Sequence, residues 1–123
     1  MNLPSLDESK LQQLLDLDEG QTTLLQEMTA LFKAETPRRL KAIREGIEAG
    51  SASTVLEAAH ALKGASGLMG AQIVFALARD LELKAKTGAL PPLEDSMEAL
   101  SRLGGAVAEA QGAIDIFLSK ITG

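Results

Sequence analysis

The 123-residue chain has one histidine, His60, in the run Ala58-Ala59-His60-Ala61-Leu62-Lys63-Gly64-Ala65-Ser66-Gly67-Leu68-Met69-Gly70-Ala71. An imidazole is mostly uncharged at neutral pH and can act as nucleophile, base or metal ligand, and its neighbours decide which. Zinc would need two or three further ligands. Other histidines and cysteines are absent and the nearest carboxylate in sequence is Glu57, so no metal site is expected. A Ser-His-Asp arrangement would need an exposed serine in reach, yet Ser66 lies about 240° round an ideal helix from His60. Attack by the imidazole on a phosphoryl group asks for less: an exposed ring nitrogen, a partner for the opposite nitrogen, nearby positive charge and room. Lys63 and Gly64, one turn on, supply a cation and a missing side chain.

Glycine in a helix interior costs roughly 1 kcal/mol relative to alanine, so Gly64, Gly67 and Gly70 need a reason. One reading makes them a cleared path for another protein's active site. The other makes them sites of close helix packing, with Gly70 the turn between two helices. Taken singly, His60 is an ordinary surface histidine and Lys63 an ordinary solvated charge. Their combination with the glycines is what points to chemistry.

The elements that must position these residues are helical throughout, because apolar spacing follows the helix period and no segment alternates like a strand. A first helix fits Asp7 to Leu17, capped by Ser5 or Asp7 and ended by Gly20. A second stretch runs from about Thr22 to Ala49, where Thr36-Pro37 either kinks one helix or starts another, and Gly50 closes it. The histidine helix begins at Ser51 or Ser53 and runs to about Leu68, with Val55, Ala59, Leu62, Ser66 and Met69 as its core stripe. His60 is turned about 100° from Ala59, onto a side that should face solvent. A fourth helix spans roughly Ala71 to Thr87, with Ile73, Leu77, Leu81 and Lys84 or Ala85 inward. After the loop at Gly88-Ala89-Leu90-Pro91-Pro92, a last helix runs from Leu93 to about Ile121. It uses Leu93, Met97, Leu100, Val107, Ile114, Phe117, Leu118 and Ile121, weakened at Gly104-Gly105 and Gly112. Short connections favour an antiparallel up-and-down bundle.

Composition narrows the partners. Twelve basic against seventeen acidic residues give a formal charge of −5, which disfavours nucleic acid. Three phenylalanines and no Trp or Tyr leave no base-stacking platform. Without cysteine there is no disulfide framework, and no signal-like or membrane-spanning stretch is read, so no membrane contact and a cytoplasmic setting are expected.

The run from His60 to Ala71 resembles the signature H-x-L-K-G-x-S-x-x-x-G-A of histidine-containing phosphotransfer (HPt) domains of multistep two-component signalling. The resemblance covers most of the chain. It implies an all-α fold, an antiparallel up-and-down four-helix bundle with an additional short N-terminal helix. The expected organisation is a single domain over residues 1–123 with a bundle core at about 20–121. It further implies that His60 is the phosphoacceptor, attacking through Nε2 an aspartyl phosphate held in a receiver domain. Lys63 would help to neutralise the phosphoryl group, Gly64 would leave room for it, and Ser66 and Gly70 would have structural roles.

In this family a Gln or Glu of the next helix bonds the histidine Nδ1, and the matching position is Glu82. A carboxylate there selects the tautomer with a free Nε2. Arg79, Glu82 and Lys86 share one helix face, which makes Arg79 and Lys86 either two cations flanking that carboxylate or part of an ordinary charged surface. The implied partners are response-regulator receiver domains, with Mg²⁺ bound there and no cofactor here, and a hybrid sensor histidine kinase. A monomeric phosphocarrier without autokinase activity is expected. The alternative is a helical adaptor that binds receiver-like partners without being phosphorylated. The dimerisation domain of a histidine kinase fits less well, since an acidic residue usually follows its histidine and Ala61 follows here.

Overall fold

Helix-period spacing becomes five α-helices in the computed structural model, which describes residues 4–122. They are α1 (Glu8–Leu17), α2 (Thr23–Glu48), α3 (Ala52–Met69), α4 (Gln72–Ala85) and α5 (Leu93–Thr122). Side-chain caps choose between the candidate starts. Asp7 accepts from the Ser9 N–H, and Ser51 accepts from the Thr54 N–H, so these residues cap α1 and α3 and neither Ser5 nor Ser53 does.

α3 packs between α2 and α4, and α5 closes the ring against both, which makes a four-helix bundle with α1 laid on α2 and α3. The core is apolar and mostly aliphatic: Leu25, Phe32, Ile43, Val55, Leu62, Met69, Val74, Leu81, Leu103 and Ile114 are all buried. The buried hydroxyls among the described residues are tied off locally, Thr29 to Leu25 O, Thr36 to Phe32 O, Ser66 to Leu62 O and Ser96 to Pro91 O.

α2 continues through Pro37 without a break. Proline removes one hydrogen bond, to the carbonyl four residues back. Here that is Lys33, and both residues are exposed, so water can satisfy the freed oxygen. α5 likewise runs unbroken through Gly104, Gly105 and Gly112.

Two expected stripes are corrected. α4 turns Val74, Ala78, Leu81, Glu82 and Ala85 inward, while Ile73 and Leu77 are half-buried and Lys84 is exposed. The α3-facing side of α4 is thus rotated by one residue from the purely apolar choice, because Glu82 is part of it. On α5, Leu93 is 62% and Ile121 38% exposed. Thirty residues of helix reach about 45 Å against about 21 Å for the fourteen of α4, so α4 can cover only part of the length of α5.

The turn between α3 and α4 explains Gly70. It caps α3 in the left-handed conformation, φ +72°, and a Cβ there would collide with the Asp7 carbonyl oxygen. The Asp7 N–H donates to Gly70 O at 2.7 Å, so this corner also anchors the start of α1. Gly70→Ala is expected to lower stability by about 2 kcal/mol, from left-handed strain plus displacement of Asp7, measured by urea denaturation. A loss under about 0.5 kcal/mol would show that the corner yields without cost.

Candidate functional site

The buried stripe of α3 fixes the direction of His60. With Ala59 and Leu62 in the core, the imidazole emerges beside α4 and its side chain is 69% exposed. Lys63, on the next turn, emerges on the same flank but is only 25% exposed. Both reach the same residue. Glu82 Oε2 accepts from His60 Nδ1, and Glu82 Oε1 accepts from Lys63 Nζ at 2.6 Å.

The carboxylate itself is 3% exposed. A buried carboxylate persists only when it is paired and hydrogen-bonded, and each oxygen here has its own donor. With Nδ1–H directed at Glu82, the ring carries its lone pair on Nε2, the edge away from α4. α4 therefore sets the tautomer and α3 sets the exposure.

Electrostatics follow the same contacts. The Lys63 hydrogen bond, then that of His60, holds the Glu82 carboxyl below its ordinary value of 4.5, against the opposing effect of burial. A carboxyl whose pKa is lower folded than unfolded stabilises the fold above the unfolded value, and that contribution is lost as pH falls through the folded value. Between neutrality and about pH 3, urea midpoints should fall more steeply for the parent chain than for Glu82→Gln, which cannot titrate there. Parallel pH profiles would show that Glu82 is no more stabilised in the folded chain than in the unfolded one.

The remaining residues of the expected site divide. Gly64 is exposed beside His60, with nothing within 4 Å of where a Cβ would be. A Cβ on Gly67 would sit 3.4 Å from the Phe75 ring, in ordinary contact with α4. Ser66 is fully buried. Arg79 and Lys86 are exposed, and neither pairs with Glu82 among the described residues. The two flanking cations are thus not delivered to the carboxylate: both its oxygens are already taken, and by α3. Lys86 instead ends α4, its N–H donating to Glu82 O.

Two features escape the sequence pattern. A groove between α2 and α3 of about 200 Å³ runs from Ala61 to Met69 and includes Leu31 and Leu68, which are 53% and 46% exposed. Phe75 lies on the opposite flank, 36% exposed. The only signal for the groove in the sequence is that Leu31 and Leu68 exceed what one buried stripe can hold. No group of three or more His, Cys, Asp or Glu side chains among the described residues could hold a metal ion. Among them no helix is long and apolar enough to cross a membrane.

Fold and site together define the class, a four-helix bundle that displays one histidine beside a bare glycine surface. The Hpt domain model matches residues 27–113, and the chain belongs to the Hpt domain family. Domains of this family act with receivers and hybrid kinases in phosphorelays. The fold is shared with histidine-containing phosphotransfer protein B (HptB) from Pseudomonas aeruginosa PAO1. The TM-score is 0.80 at 22% identity, covering 97% of this chain and 98% of that one. It is shared also with the HPT domain of the Hpt sensor hybrid histidine kinase from Shewanella. There the TM-score is 0.71 at 21% identity, over 97% of each chain. No sequence match is found among curated proteins.

Proposed function

We propose that this domain carries phosphoryl groups between receiver domains, with His60 as acceptor and donor. The observation that carries the reading is the orientation of one ring: Nδ1 is bound to a buried carboxylate while the other edge is open to solvent. In uptake, the Nε2 lone pair attacks the phosphorus of a receiver's aspartyl phosphate. An N–P bond forms as the acyl phosphate P–O bond breaks, and the bonding pair leaves with the aspartate carboxylate. The Nδ1 proton stays on the ring, and Glu82 balances the positive charge that develops there. Delivery to a second receiver is the reverse. The receiver supplies its own Mg²⁺, and this chain supplies a positioned nucleophile and a docking face.

The surface round His60 suits that role. Gly64 leaves the approach bare, while Leu31, Leu68 and Phe75 offer exposed apolar contacts on either side, as association surfaces do.

The test is to incubate the chain with a panel of receivers phosphorylated by a small acyl phosphate. The expected product is a label on this chain that is lost in acid and kept in base, as a phosphoramidate is. Binding to receivers with no label, or a label kept in acid, overturns the phosphocarrier reading; the first result is that of a helical adaptor.

A further inference from the structure

Arg79 is exposed and makes no ion pair among the described residues, yet the packing of α3 on α4 gives it a definite place. Gly67 faces the Phe75 ring and His60 bonds Glu82. Arg79 is one helical turn from each of these α4 residues and lies between the two contacts, on the flank that displays His60 and Gly64. A groove of about 560 Å³ opens there, lined by Gly67, Phe75, Ala76 and Arg79 and, from the start of α1, by Asp7 and Lys10. Lys10 stands beside Gly70, so the two cations mark the two ends of the groove and Phe75 its middle.

The charges of this groove are not cancelled locally. Lys10, like Arg79, is exposed and unpaired among the described residues. The one carboxylate in the lining, Asp7, is engaged by the Ser9 N–H and hydroxyl. Asp80, next to Arg79 in sequence, pairs with Lys84 at 2.9 Å and lines the α4–α5 side instead. Two cations thus stand against one occupied carboxylate in a chain whose net charge is −5. The α2–α3 groove on the other flank of His60 has no such excess: Glu35 and Arg39 line it, 3.9 Å apart. That asymmetry selects an acidic partner. A receiver that holds Mg²⁺ beside its aspartate needs oxygen ligands round that site, carboxylates above all. A chain of net charge −5 repels such a surface at long range, and cations near the nucleophile reverse the sign where contact is made.

We propose that Lys10, Phe75 and Arg79 form a docking strip for the acidic edge of a receiver, which steers and orients the encounter and takes no part in the transfer step itself. The proposal rests on the carrier reading and adds a direction of approach to it. The acidic edge of the receiver lies along α4, with Phe75 as the apolar contact between its two ionic ones, and the remaining apolar contacts fall in the α2–α3 groove. The strip also discriminates, because a receiver whose edge is basic meets like charge at both ends.

Charge reversal and salt together test the strip. The second-order rate of transfer from the receiver that labels the parent fastest is measured at about 20 mM and about 500 mM salt, where screening is weak and strong. Three chains are compared: the parent, Lys10→Glu with Arg79→Glu, and Lys41→Glu with Arg44→Glu, which makes the same change in net charge on the α2–α5 side. The strip variant should lose about ten-fold or more at low salt and less than about two-fold at high salt, with its saturating single-turnover rate within about two-fold of the parent. The control pair should lose less than about three-fold at low salt. Equal losses in the two pairs, a loss that salt does not relieve, or a loss in the saturating rate overturns the proposal.

A second readout needs no phosphoryl transfer. Titration of the same chains with unphosphorylated receivers should show a Kd raised about ten-fold by the strip reversal at low salt and little changed by the control pair. An unchanged Kd overturns the strip even where the parent is labelled. A parent that binds with this salt pattern but takes no label keeps the strip and sinks the carrier reading. Lys10→Gln with Arg79→Gln removes the charges without reversing them; it should show a smaller loss with the same salt dependence, and it carries both readouts if reversal disturbs the start of α1.

Discussion

Replacing His60 with glutamine is expected to abolish phosphoryl uptake, a loss of about 10³-fold or more, while stability stays within about 1 kcal/mol of the parent. The two halves of this expectation rest on different facts. Uptake fails because an amide has no lone pair able to attack phosphorus, and among the described residues no other imidazole exists to take over. Stability holds because the His60 side chain is 69% exposed and contributes little to the core, and because a glutamine N–H₂ can still donate toward Glu82. Lys63 keeps its own hydrogen bond to Oε1 in either case. The measurement is radiolabel transfer from a phosphorylated receiver, read beside the urea midpoint of the same preparation. Acid-labile label on a folded His60→Gln chain would remove His60 from the site.

The parts of this molecule that could be read from sequence are those set by periodicity and by local capping. The α3 stripe of Val55, Ala59, Leu62, Ser66 and Met69 is buried as its spacing requires. That stripe is also what turns His60 outward. Asp7, Ser51 and Gly70 mark helix ends through bonds to residues no more than four positions away, or through a positive φ. Such signals are local, so one sequence contains them. Glu82 was legible for a different reason, a family spacing, and the structure brings it to Nδ1.

What sequence left open depends on neighbours distant along the chain. Whether Pro37 kinks or ends a helix turns on which side its missing hydrogen bond faces. The inward face of α4 is misphased by apolar spacing alone because a charged residue, Glu82, is one of its buried members. The mate of Lys63 lies nineteen residues on, in another helix, and nothing local distinguishes it from a solvated charge. Gly46 is of the same kind. A Cβ there would stand 2.8 Å from Val55 Cγ2, so it lets α2 approach α3, a requirement visible only when both helices are in place.

The three glycines beside His60 have three different surroundings, and the one with open space around it makes the sharper prediction. Gly70 is required by its turn, and a Cβ at Gly67 would make only ordinary contact with the Phe75 ring. Gly64 meets nothing: it is exposed, helical, and open to a Cβ in every direction. Glycine there costs roughly 0.5 to 1 kcal/mol of stability against alanine, so Gly64→Ala is expected to raise the unfolding free energy by that amount, read as a higher urea midpoint. A substitution that stabilises the isolated domain should nevertheless impair its work under the proposed function, in which a receiver brings its aspartate to Nε2 across the open surface at Gly64. Displacement chemistry tolerates little misplacement, and an offset of about 1 Å can cost about 100-fold. Gly64→Gln, with a side chain long enough to cover the imidazole, is therefore expected to slow transfer by about 100-fold or more, with Gly64→Ala between it and the parent. Transfer at the parent rate by a folded Gly64→Gln chain would mean that the receiver approaches from elsewhere. Stability and transfer moving in opposite directions at one exposed position is a result that packing alone does not produce.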